Sequence, residues 1–326
     1  MAEVTVAIPV RDGGEPFAGV LEALAGQTVA HELLVCDSGS RDGSVELARA
    51  HGARVLEIAP QSFNHGATRN LLMDQARGVH VALLTQDAQP AGQDWLERLL
   101  AAFELGEDVA IAYGPYRARD HASAPVRIEL ERWFSSLSPD GSPQLERLTE
   151  AERSLPAGAL VGRRGFFSDA NSCIARQAWE RVPFRQIAYA EDRALALDMM
   201  RAGYAKAYVP QAAVIHSHEY TPTQYLRRCF DEWRALLEVY GWREPADPRH
   251  LLNAVRGDLS GSRERLLADG VPAGARRRIL ARVAVRQGLR LAGALLGSHA
   301  DRLPPSLRKS LSLERRAELE PLRLKP

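Results

Sequence analysis

The feature that most restricts the fold of this chain is a regular alternation of short apolar runs with segments of helical spacing. Strands are predicted over residues 4–10, 32–36, 55–58, 79–84 and 109–113, each rich in aliphatic residues and stopped by turn formers. Between them, residues 17–27, 44–51, 66–76 and 94–103 place apolar positions on one helical face, with Gly52 ending the second helix and Asp94 capping the fourth. Parallel strands need a long crossover, and a helix supplies it while covering the sheet. The expected fold class is therefore α/β, a Rossmann-like, mostly parallel sheet flanked by helices. Ligands of such sheets bind beyond the carboxyl ends of the strands. Four polar clusters, 11–14, 37–43, 61–69 and 85–89, each follow a predicted strand and so converge on that edge.

The regularity lapses over 116–165, a segment with several prolines and the aromatic pair Trp133-Phe134, which reads as an insertion shaping a substrate pocket. It resumes with strands at 171–175, 206–209 and 214–217 and helices at 191–202 and 223–240. Beyond Pro245 only helices are expected, which gives the chain a C-terminal helical extension.

Five places carry candidate chemistry. Asp37 ends the second strand in VCDSGSRDGS, where it suits either a ribose or base contact or ordinary turn chemistry. QSFNHGATRN opens a helix with Arg69 nearby, a setting for a diphosphate or simply a capped helix. Asp87, in LLTQDAQP, is placed to hold a divalent cation, or to serve as a turn or cap residue. Glu191 and Asp192 open a helix, where the dipole alone favours acids and where one carboxylate could act as a general base. His216 and His218 flank Ser217 and share one face of a predicted strand, as a packed pair or as ligands of a metal or phosphate. No Walker loop and no G-x-G-x-x-G follows the first strand, which argues against P-loop, nicotinamide and flavin enzymes.

In order, VAIPVRDGG, LLVCDSGSRDGS, FNHGATRN, LLTQDAQP, FSDANSCIARQAWERVPF, YAEDRALALDMMRAGY and VIHSHEYTPTQYLRRCFD resemble glycosyltransferase family 2, with its A-type glycosyltransferase fold, over residues 4–232. FNHGATRN, TQDA and HSHEYT are most similar to bacterial rhamnosyltransferases that use dTDP-rhamnose. The resemblance implies an inverting transferase that moves a sugar from a nucleotide-sugar donor to a hydroxyl of a cell-surface glycan or lipid-linked acceptor. It implies a donor site from Pro9, Arg11, Asp37, Gly39, Ser40, Asn64, His65, Arg69, Gln86 and Asp87. Asp192 would be the base, with Glu191 orienting it or touching the acceptor, and Asn171 and Trp133 would line the acceptor side. A divalent cation, Mg²⁺ or Mn²⁺, would rest on Asp87 with His216 or His218. The pattern departs from the family's D-x-D at one position, where Thr85 replaces the first acid. The organisation expected is a catalytic domain over 1–240, with a nucleotide-sugar half at 1–115 and an acceptor half at 116–240, and a basic helical region at 241–326. A UDP-hexose transferase and a non-catalytic carbohydrate-binding protein of the same fold are the alternatives. A nucleotidyltransferase is disfavoured because VRDGGEP holds one Arg and no Lys.

Charge is asymmetric. Residues 271–326 hold 13 Lys/Arg and 4 Asp/Glu, a net of +9 against +1 for the whole chain, so the preceding residues carry −8. Arg278, Arg282, Arg286 and Arg290 recur every four residues beside Leu280, Val283, Leu291 and Leu295, as a basic stripe that could meet an anionic membrane, face solvent or form a homo-oligomer contact. Without interleaved aromatics it does not suggest nucleic acid. Three cysteines without C-x-x-C spacing predict reduced thiols rather than disulfides or zinc. No signal peptide or 20-residue apolar stretch is apparent, so a cytoplasmic protein, peripheral at the inner face of the cell membrane, is expected.

Overall fold

The computed structural model describes residues 3–162 and 164–314. Its strands are β1 (Val4–Val10), β2 (Glu32–Asp37), β3 (Arg54–Glu57), β4 (His80–Leu84), β5 (Gln89–Pro90), β6 (Val109–Tyr113), β7 (Tyr116–Arg117), β8 (Gln144–Glu146), β9 (Asn171–Ala175), β10 (Ala205–Tyr208) and β11 (Val214–Ile215). Its α-helices are α1 (Gly14–Ala25), α2 (Ser44–Ala50), α3 (His65–Gln75), α4 (Trp95–Ala101), α5 (Ala124–Leu137), α6 (Glu150–Arg153), α7 (Arg176–Arg181), α8 (Glu191–Arg201), α9 (Pro222–Tyr240), α10 (Pro248–Ala268), α11 (Ala273–Gly297) and α12 (Pro305–Leu311). Two compact units emerge, one of residues 3–119 with 133–216, the other of 120–132 with 217–314.

The first unit is built on an eight-stranded sheet in the order β3-β2-β1-β4-β9-β6-β10-β8. Pairing is parallel from β3 through β4 and between β6 and β10, whereas β9 runs antiparallel to both β4 and β6. Burial explains why the central strands read as unbroken apolar runs. Every residue of β1 except Pro9 is buried, as is all of β6, because helices cover both faces. Phe17, Val20, Leu21 and Leu24 of α1 and Trp95, Leu96 and Leu99 of α4 join β1, β4 and β6 in one core. A small sheet, β5-β11-β7, is formed by the short strands that follow β4, β10 and β6 in the chain. The three cysteines are buried and unbridged.

Two expectations need correction. The 116–165 segment is not simply irregular, since it contains the 14-residue α5. The strand predicted at 214–217 stops at Ile215, so His216 and His218 do not share a strand face.

In the second unit, α9 begins with a capping box between Thr221 and Gln224 and ends at the left-handed Gly241. It packs on α11, where a methyl group at Gly293 would lie 2.6 Å from the Leu226 carbonyl and one at Gly297 2.4 Å from that of Phe230. The predicted basic stripe is split by this packing. Arg286 lies 3.6 Å over the Tyr225 ring and pairs with Glu129 at 2.7 Å, and Arg290 lies over Trp233. Val283 and Leu291 are buried, while Arg278 and Arg282 are exposed. The basic residues of 315–326 lie outside the described residues. Among the described residues no helix is long and apolar enough to cross a membrane.

Candidate active site

The loops after β1, β2 and β4 interlock through side chains bonded to backbone. Asp37, buried at the end of β2, accepts from the Gly39 N–H at 2.8 Å and from that of Ser40 at 3.2 Å. Ser40 Oγ accepts from the Asp12 N–H, and Asp12 Oδ1 from that of Arg41, each at 2.8 Å. Gln86 clamps the Arg11 backbone, accepting from its N–H at 2.7 Å and donating to its carbonyl at 3.1 Å. Pro9 sits one residue from the end of β1, and the Arg11 side chain is exposed. Asp37 and Ser40 also line a cleft of about 260 Å³ with Arg41, Ser44, Arg49 and Glu57. The turn reading and the ligand reading of Asp37 thus coexist, the carboxylate shaping a turn whose outer face borders a polar cleft.

Asn64 caps α3, accepting from Ala67 N–H at 2.9 Å and donating to the Ile187 carbonyl at 3.1 Å. His65 follows, edge-on to Phe63. One turn along, Arg69 does not point out from the helix start. Its side chain is 6% exposed, with Nε 2.9 Å from Asp169 Oδ2 and Nη1 2.8 Å from Glu191 Oε1. The sequence placed Arg69 with a diphosphate, but the structure gives it two buried carboxylates.

Asp87 and His216 come together beyond the sheet edge, Asp87 Oδ1 lying 3.5 Å from His216 Nδ1. Arg119 donates to the Asp87 carbonyl, and the His216 ring meets Tyr116 edge-on. A carboxylate oxygen and an imidazole nitrogen, both partly open to solvent, are a donor set that fits Mn²⁺ or Mg²⁺ completed by water and substrate oxygens. The Thr85 hydroxyl is buried without a hydrogen-bond partner among the described residues, and it brings no charge. His218 falls in the second unit, exposed and stacked on Tyr220.

The first turn of α8 carries the acids. Ala190 precedes them with φ of 62°, an uncommon conformation for a residue with a side chain. Glu191 is buried against Arg69, while Asp192 is part-buried, its Oδ1 accepting from Arg193 N–H at 2.7 Å and its Oδ2 from Asp169 N–H at 3.4 Å. Burial, then the Glu191 charge, pushes the Asp192 carboxyl above the usual carboxylate range. Burial does the same to Asp169, more strongly, against the opposing pull of Arg69. Asp169 was within the FSDAN segment but was not singled out. The available signal was an acid two residues ahead of a strand in an otherwise apolar stretch.

On the expected acceptor side the two residues part. Asn171 is fully buried, accepting from Trp95 Nε1 at 2.8 Å and donating to the Ala212 and Pro115 carbonyls at 2.7 and 3.2 Å. It has nothing to offer an acceptor and instead ties β9 to α4 and two loops. Trp133 is 38% exposed and lies edge-on to Phe166, whose ring also carries the Arg193 guanidinium at 5.3 Å. An aromatic face beside an arginine next to Asp192 suits a sugar ring.

Comparison with known proteins places the chain in a family. The family model described as "Glycosyl transferase family 2" matches residues 5–185. The O-antigen chain rhamnosyltransferase RfbN of Salmonella typhimurium is 32% identical over 237 residues, 70% of this chain and 71% of that protein. The O-antigen chain rhamnosyltransferase WbaN of Salmonella anatum is 30% identical over 61% of each chain. Among solved structures, a mannosyltransferase from Pyrobaculum calidifontis in complex with GDP-Man and Mn²⁺ superposes with a TM-score of 0.60 at 17% identity, over 91% of this chain and 87% of that one. Residues 1–349 of S. aureus TarS superpose with 0.51 at 14% identity, over 92% and 91%.

Proposed function

Because the chain belongs to glycosyl transferase family 2, we propose that it is an inverting rhamnosyltransferase. It moves L-rhamnose from dTDP-rhamnose to a hydroxyl of a cell-surface glycan or lipid-linked acceptor. The observation that carries this reading is Asp192, a part-buried carboxylate of raised proton affinity next to Arg193, whose guanidinium lies over the Phe166 ring that the exposed Trp133 meets edge-on. The names of the two Salmonella relatives support rhamnose as the sugar.

The acceptor oxygen attacks the anomeric carbon from the face opposite the diphosphate. The bond from that carbon to the diphosphate oxygen breaks, and dTDP leaves with the electron pair. Asp192 takes the hydroxyl proton as the new bond forms, then releases it to water. The nucleoside occupies the cleft bordered by Asp37 and Ser40, and the diphosphate lies toward Asp87. A divalent cation on Asp87 and His216, with His218 two residues along the chain, would neutralise charge on the leaving diphosphate. That the Pyrobaculum mannosyltransferase forms a complex with GDP-Man and Mn²⁺ supports the use of a divalent cation.

Asp192→Asn keeps the shape and one of the two accepted hydrogen bonds but cannot take the proton. Turnover of dTDP-rhamnose is expected to fall by about 10²–10⁴-fold, measured as rhamnose transfer to lipid extract or water. Turnover within a few-fold of the native protein would remove Asp192 from the reaction.

A further inference from the structure

The reaction above uses Asp192 and leaves Arg69 and Asp169 without a part. We propose that Arg69 and Asp169 are positioning residues for the Glu191–Asp192 pair, fixing its place and its charge, and that Arg69 does not bind the donor diphosphate. This rests on the reading of Asp192 as the base.

Arg69 reaches the pair from α3. Its Nε forms an ion pair with Asp169 at 2.9 Å, without hydrogen-bond alignment, and Nη1 lies 2.8 Å from Glu191 and also donates to the His65 carbonyl at 3.3 Å. Fork-shaped contact of this kind orients as well as attracts. Asp169, on the segment before β9, bonds through its own N–H to Asp192 Oδ2, and its Oδ1 accepts from Ser172 Oγ at 3.1 Å. Three separate elements are thereby tied at one buried point, and the catalytic carboxylate hangs from the knot rather than from its own helix turn alone.

The same arrangement governs charge. One guanidinium faces three carboxylates, Asp169, Glu191 and Asp192. The other titratable groups facing them are Arg193, next to Asp192, the His65 imidazole, 3.5 Å from Arg69 Nη1, and the Tyr116 hydroxyl. Removing the Arg69 charge leaves Asp192 among uncompensated acids, so it binds its proton more tightly. Asp169 holds its own proton more tightly than Asp192 does, so Asp169→Asn leaves the charge around Asp192 nearly as it was. A rise in Arg69→Gln that the charge-keeping Arg69→Lys undoes is a signature that loss of packing does not produce, and a diphosphate ligand would instead show itself in nucleotide affinity.

The test uses the full chain with Arg69→Gln and Asp169→Asn. Two quantities are read: the titration midpoint of the Asp192 carboxyl ¹³C resonance, assigned by its loss in Asp192→Asn, and the Kd for dTDP with Mn²⁺. Arg69→Gln is expected to move the midpoint up by about one pH unit or more, and Asp169→Asn to leave it close to the native value. Arg69→Lys, which keeps the charge, returns it toward the native value. The dTDP Kd stays within about twofold throughout. An Arg69→Gln midpoint that does not rise, or an Asp169→Asn midpoint that moves as far as it, overturns the proposal. So does a loss of dTDP affinity of about tenfold or more in Arg69→Gln, which restores the diphosphate reading. Glu191→Gln is nearly isosteric and removes the neighbouring charge that raises Asp192, so it is expected to lower the midpoint and decides the sign even where Arg69→Gln does not fold. The titration is read without turnover, so an active Asp192→Asn would remove the base and leave the positioning claim to be judged separately.

Discussion

Asp192 sits under two opposed demands. Burial beside Glu191 raises its proton affinity, which suits a base that works near neutral pH. The same shift costs stability. A carboxyl whose folded-state pKa exceeds its unfolded value contributes stability below the unfolded pKa, and that contribution is lost as pH rises through the folded pKa. Asp192→Asn has no charge to bury. Its melting temperature is therefore expected to exceed that of the native protein near pH 8, and the two should converge near pH 4, about the unfolded value. A lower melting temperature for the variant at the higher pH would contradict the account. Residue identity alone did not reveal which acids would be buried together. Asn171 and Arg69 show why: both follow the pattern of edge residues, yet their polar atoms are consumed by Trp95, Asp169 and Glu191, which are distant in sequence.

At the scale of elements, strands β1, β6 and β9 match the predicted bounds because continuous apolar runs between turn residues are a strong signal. Helix α5 carries apolar residues at helical spacing, Val126, Leu130, Phe134 and Leu137, with Pro125 in its first turn where proline is tolerated, so its signal lay within a segment whose prolines and mixed charges otherwise read as irregular. The last strand was overextended because alternation of Ile and His mimics a strand that pairing does not support. Close helix packing was also invisible. Gly293 and Gly297, one turn apart on α11, read as weak points where alanine would add about 1 kcal/mol of helix propensity. Their contact with the α9 backbone reverses that sign. Gly293→Ala is expected to lower stability by about 1–3 kcal/mol in chemical denaturation, as overpacking does. A stabilised variant would show that the helices separate freely.

For the whole molecule, family membership accounts for the sheet and leaves the choice of acceptor to the surface. We propose that the exposed part of the basic stripe brings the protein to an anionic membrane where a lipid-linked acceptor is presented, at the inner face of the cell membrane. Arg277, Arg278 and Arg282 are exposed on α11 near the exposed Val285. Changing the three arginines to Glu is expected to abolish co-sedimentation with phosphatidylglycerol vesicles at low salt, at about 1 kcal/mol per charge. Binding that survives the change, or none in the native protein, would rule the contact out.

The measurement that bears most directly on the central claim is donor selectivity. The native protein is titrated with dTDP-rhamnose, UDP-glucose, UDP-N-acetylglucosamine and GDP-mannose, each with Mn²⁺ and with a chelator, following thermal stabilisation and donor turnover. Stabilisation and turnover confined to dTDP-rhamnose, and lost with the chelator or in Asp87→Ala, are the predicted result. Preference for a UDP- or GDP-sugar would contradict the rhamnosyltransferase reading.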